Sequence, residues 1–224
     1  MRSRSVVLCL IIVGATFTTV VRGEVAAVVD RSGNYRYMTY KYVVAGGETR
    51  IWNANDSSSH RRVLNPRGDA FGDLAPSVVD SPELSIGPMV VWPHPNGGDY
   101  DLVYSTWSGS GWSPIRSVAA DNPYDDFEPR LAPNSRGQVY MVWWRDEAGV
   151  GAIYFSAYMG GRWTSPFRVS TVGIDARHAS LVVLGDTLVD VAYDTPAGAD
   201  RRELTINSTD SITDDIDPKL QIIR

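Results

Sequence analysis

Cysteine is nearly missing from these 224 residues: Cys9 is the only one, and it lies in the leading segment. A disulfide framework, a thiolate metal site and a cysteine nucleophile are therefore excluded from the rest of the chain. Histidine is almost as scarce. His60, His94 and His178 are too scattered for a zinc pattern, and none stands in a His-Glu-x-x-His arrangement. No glycine-rich loop is spaced to cradle phosphate. Gly109-Ser110-Gly111 is no nucleophile elbow, because position 108 is Ser and no strand-to-helix context surrounds it. Beyond the leader, no segment has a helical apolar period.

Positive charge is also in short supply. Residues 1–23 carry three of the 21 basic residues and none of the 26 acidic ones, which leaves the remainder at −8. Such a balance disfavours nucleic acid and anionic lipid as partners, since both present phosphate. The leader itself reads as an address. Arg2 and Arg4 give a basic start, residues 6–21 form an apolar run, and Val21-Arg22-Gly23 offers a cleavage site before Glu24. The run is short for a membrane span and no basic stop-transfer cluster follows it. Cys9 is preceded by Leu8 inside the run, which argues against lipidation. The expectation is a signal peptide over 1–23, no integral span after its removal, and a secreted or periplasmic domain at 24–224.

What is present is strand-and-turn grammar. Short apolar runs rich in Val, Ile, Tyr and Trp alternate with Gly, Pro, Asn and Asp clusters. Several runs, such as "PMVVW" (88–92) and "VYMVWW" (139–144), are apolar on both faces, as in a sheet stacked between two others. The runs recur. Trp92, Trp143 and Tyr193 stand 51 and 50 apart, and Leu102, Ile153 and Leu204 stand 51 apart each time. Agreement of independent markers on one interval signals a stacked supersecondary unit. The reading is an all-β chain, a β-propeller of about four four-stranded blades (five or a partial ring being the alternatives), at roughly 24–75, 76–128, 129–178 and 179–217, with an extra strand at 218–224.

Two turns between third and fourth strands match: "STWSGSGW" (105–112) and "SAYMGGRW" (156–163), alike at Ser105/Ser156, Gly109/Gly160 and Trp112/Trp163. This resembles the Asp-box of the sialidase-like repeat family, Ser-x-Asp-x-Gly-x-x-Trp. The resemblance implies a hairpin with a left-handed Gly and a Trp folded back into the blade core. The Asp position holds Trp107 and Tyr158 instead. For sialidases proper the family implies an arginine triad, an acidic proton donor and a Tyr–Glu nucleophile pair. No residue set here can be assigned to these, so no catalytic residue is expected.

Propeller loops converge on one face, which gathers Asp125, Asp126, Trp144, Arg145, Asp146, Arg177 and His178 as the candidate ligand-binding set. No metal ligand or cofactor is assigned. The Asp and Asn oxygens of "DNPYDD" (121–126) are of the type that holds calcium, although the spacing is no EF-hand loop. The functional expectation is a non-catalytic binding or scaffold module for a glycan or protein surface. The alternatives are a sialidase-related glycoside hydrolase and a truncated propeller without activity of its own.

Overall fold

The repeated strand grammar is realised as four antiparallel sheets joined in chain order. The computed structural model describes residues 76–80, 84, 86–108 and 110–206 in full, together with the backbone of strands before and after them. Among the described residues there is no helix, and none that could cross a membrane.

The first sheet holds β1 (Thr18–Arg22), β2 (Val25–Val29), β3 (Tyr35–Tyr42), β4 (Glu48–Asn53) and β5 (Arg62–Val63). The second holds β6 (Ser77–Val79), β7 (Met89–Asn96), β8 (Asp99–Thr106) and β9 (Arg116–Ser117). The third is β10 (Asp125–Pro133), β11 (Val139–Glu147), β12 (Val150–Met159), β13 (Arg162–Trp163) and β14 (Phe167–Arg168). In the fourth, β15 (Arg177–Leu184), β16 (Leu188–Thr195) and β17 (Gly198–Thr205) are closed by β18 (Gln221–Ile223). Each sheet is a meander in which neighbours in sequence pair, except that β14 returns to pair with β12 beyond β13.

The doubly apolar runs go where their composition requires. Val139, Met141 and Trp143 on one face of β11 pack with Met89, Val91 and Tyr104 of the second sheet. Tyr140 and Val142 on the other face pack with Val189, Val191 and Tyr193 of the fourth. The third sheet is thus buried on both sides, and β10 runs against β6, β7, β8 and β15. Trp92 and Trp143, the repeat markers, are both fully buried.

The two matched turns share one hydrogen-bond pattern. Ser105 Oγ donates to the Ser113 carbonyl at 2.8 Å, and Ser156 Oγ donates to the Thr164 carbonyl at 2.8 Å. The hydroxyls of Ser113 and Thr164 accept the amides of Thr106 and Ala157 at 3.1 and 3.0 Å. Gly160 takes φ +60°, the left-handed position its sequence predicts. Gly109 lies outside the described residues. Trp163 is buried against Tyr158, with ring centroids 5.4 Å apart, whereas Trp112 is only half-buried, 5.6 Å from Trp107. The core position expected of both tryptophans is therefore taken by one. Trp163 meets Tyr104 and Tyr158 between two sheets, while Trp112 pairs across its own hairpin with Trp107.

Candidate functional site

The hairpin ends of the second, third and fourth sheets, with the loops that link one sheet to the next, bring all seven candidate residues to one end of the molecule. Register explains how. Asp125 pairs with Asp146, Asp126 with Arg145 and Phe127 with Trp144 across β10 and β11. Alternation then sends Asp126 and Arg145 to one face and Trp144 to the other.

Asp126 and Arg145 form a buried, two-pronged ion pair at 2.7 and 2.9 Å, and Trp143 Nε1 donates to the same carboxylate at 2.8 Å. Burial pushes the Asp126 carboxyl up, and the Arg145 and Trp143 bonds pull against that rise. Arg145 also lies over the Tyr154 ring at 4.4 Å. Beside them Glu147 accepts Tyr154 Oη at 2.6 Å and Arg168 Nη1 at 2.6 Å. Glu147, Tyr154 and Arg168 come from three strands, and only register unites them.

Asp125 and Asp146 serve the backbone. Asp125 Oδ1 accepts the Tyr100 amide at 2.9 Å, and Asp146 Oδ1 accepts the Gly149 amide in the β11–β12 turn. Trp144 packs on Phe127 at 4.7 Å, under the Arg177 guanidinium at 5.0 Å and edge-on to His178 at 6.5 Å. Arg177 is in turn held by Asp175 at 2.9 Å, whose carboxyl Arg177 and the Gly151 amide lower. Trp144 is thus a clamped platform, not a bare one.

An acidic group lies between the second and third sheets. Asp99, Asp101 and Asp121 bring carboxylate oxygens within 4.8 Å of one another. Asn96 donates to Asp101 at 2.9 Å and to Asp121 at 3.2 Å, and Asn122 donates to Asp101 at 3.1 Å. Burial, opposed by the Asn96 bond and reinforced by Asp121, Asp99 and Asp126, lifts the Asp101 carboxyl to about 6. Oxygen donors of this kind suit a hard cation such as calcium.

Hairpin height varies around this end. Beyond the marker residue, β7 runs four residues from Trp92 to its last pair and β11 four from Trp143, but β16 runs only two from Tyr193 to Thr195. The fourth sheet therefore stops about 7 Å lower. The step opens a groove of about 320 Å³ lined by Thr171, Ile174, Tyr193, Thr195, Ala197–Ala199 and Asp200. Tyr193 Oη donates to Asp200 at 2.9 Å, and burial with that bond pushes the phenol up to about 12. Val172 and Ile174 stand exposed at the groove's lip.

No protein-family model matches this chain, and no characterised protein matches it by sequence. Among solved structures it is similar to an alpha-L-arabinofuranosidase from Podospora anserina, crystallised in complex with cellotriose. Identity is 15%, the TM-score is 0.43, and the match covers 87% of this chain and 64% of that one. The chain spans just under two thirds of that enzyme's length.

Proposed function

We propose that the chain is an exported, non-catalytic binding module, a propeller of sialidase-like repeats that holds a carbohydrate along its hairpin end. The observation that carries this reading is the step at the fourth sheet: one short hairpin among taller ones leaves a shallow, open groove of mixed apolar and polar lining. On the β10–β15 side of the same end stands clamped Trp144, and aromatic faces suit the apolar faces of sugar rings. The carboxylates of this end are engaged as structural partners: Asp200, in the groove lining, accepts Tyr193, and Asp126, Glu147 and Asp175 each hold an arginine, a tyrosine or a backbone amide.

Export fits the first sheet. It has five strands, and cleavage before Glu24 would remove β1 and leave β2 to β5, a four-stranded unit like the second and fourth sheets.

A hydrolase reading is favoured by one observation. The Asp101 carboxyl, raised to about 6, lies in the range that suits a proton donor. One experiment separates the two. The purified protein is screened against immobilised oligosaccharides and against chromogenic aryl glycosides and sialosides. Binding without turnover, lost when Ala199→Trp fills the groove, is expected. Hydrolysis that disappears in Asp101→Asn would replace the binding module with an enzyme.

A further inference from the structure

Among the described residues, three that are not glycine have left-handed backbone: Ala148 at φ +55°, Glu128 at +50° and His178 at +52°. Ala148 is explained by its place. It precedes Gly149, at +91°, in the two-residue turn between β11 and β12, where both central positions need positive φ. Glu128 and His178 sit in no turn. They lie inside β10 and β15, each at a shift of register, between Phe127 and Arg130 and between Arg177 and Ser180. Glycine would adopt that backbone freely, yet two long polar side chains occupy it.

Those side chains, from neighbouring sheets, meet. His178 Nδ1 lies 3.0 Å from Glu128 Oε2. Arg130 Nη2 stands 3.8 Å from the same oxygen, beyond hydrogen-bond length. Among the described residues its side chain makes one hydrogen bond, from Nη1 to its neighbour's carbonyl at 3.2 Å. Burial lowers the Arg130 guanidinium from its ordinary range. Glu128 Oε1, Arg130 Nε and His178 Nε2 have no partner among the described residues. The His178 and Glu128 side chains are 58% and 35% exposed, and that of Arg130 is 26% exposed.

We propose that Glu128, Arg130 and His178 form the polar head of the ligand site and hold a vicinal diol of a neutral sugar. One hydroxyl donates to the free Glu128 oxygen, and its neighbour accepts from Arg130 or His178. The gap between guanidinium and carboxylate, too long for a direct bond, is one a pair of adjacent hydroxyls bridges. An anionic ligand is disfavoured, because the Glu128 carboxylate already stands beside both donors. The order β15–β16–β17 places this head on the β15 side and the groove on the β16–β17 side of one sheet end, two strand spacings or about 10 Å across. The ligand class rests on the binding-module reading; the strained residues do not.

Two measurements test it. Melting curves of Glu128→Gly and His178→Gly come first. Relief of the left-handed strain raises Tm by about 2–4 °C if the side chains serve a ligand. A lower Tm in both makes them structural and overturns the proposal. The second is binding to arrayed neutral and sialylated oligosaccharides. Glu128→Gln and Arg130→Gln are each expected to weaken a neutral glycan tenfold or more, and His178→Gln less. Loss of binding in Ala199→Trp alone, with Glu128→Gln and Arg130→Gln unchanged, keeps the module and overturns the polar head. Loss in the head variants alone keeps the head and moves the ligand out of the groove. Binding confined to acidic glycans, or to none, overturns the diol.

Discussion

Asp101 is buried beside Asp99 and Asp121, and its carboxyl is lifted from 3.8 to about 6. Between those two values the folded chain keeps a proton that the unfolded chain has released. Stability therefore rises as pH falls from 8 towards 5, by on the order of 1 kcal/mol from this residue. Urea unfolding at pH 8 and pH 5 measures it. Asp101→Asn is expected to be the more stable protein at pH 8 and to flatten the difference. An equal pH slope in both would place the cause elsewhere. Gly160 makes a different residue-scale test. At φ +60° with open space where a Cβ would stand, it is limited by backbone strain alone. Gly160→Val should destabilise by about 1–3 kcal/mol, read from the melting temperature. An unchanged melt would mean that the hairpin adapts to a β-branched residue.

At the scale of the element, the Ser clasp closes the third-to-fourth strand connection twice. Ser105 and Ser156 are fully buried, and each ties its strand to a carbonyl eight residues on. Ser105→Ala and Ser156→Ala should each cost about 1–2 kcal/mol, since a half-buried carbonyl loses its donor. Similar costs at the two sites are expected, because the two clasps have the same lengths. A neutral result at both would show that the Ser of the repeated turn has no structural task. The sequence pointed to these residues because the Ser, Gly and Trp recur at a fixed interval. It did not show that Glu147, Tyr154 and Arg168 meet, nor the positive φ of Glu128 and His178. A bulge leaves no marker when its residue is not glycine.

For the whole molecule, the decisive segment is the last. β18 pairs Glu203, Leu204 and Thr205 of β17 through Ile223, Ile222 and Gln221, and so gives the fourth sheet its outer strand. The apolar character of Leu220, Ile222 and Ile223 predicts their burial, and their side chains lie outside the described residues. Removing 218–224 should bare the edge of β17 and produce aggregation or a broadened melt, seen by light scattering and calorimetry. A truncated protein that stays monomeric with the same melting curve would make the strand dispensable.

The interval near 51 residues, the strand content and the burial of both faces of β11 were determined by the sequence itself, because apolar runs and turn residues are local properties that repeat with the chain. The assembly of the site was decided only in three dimensions. Asp126 meets Arg145 through antiparallel register, Trp144 is clamped by residues from β10 and β15, and the groove exists because one hairpin is two residues shorter per strand than its neighbours. Register, facing and height differences arise between strands. A sequence lists residues along a strand, and only the packed sheets set one strand against the next.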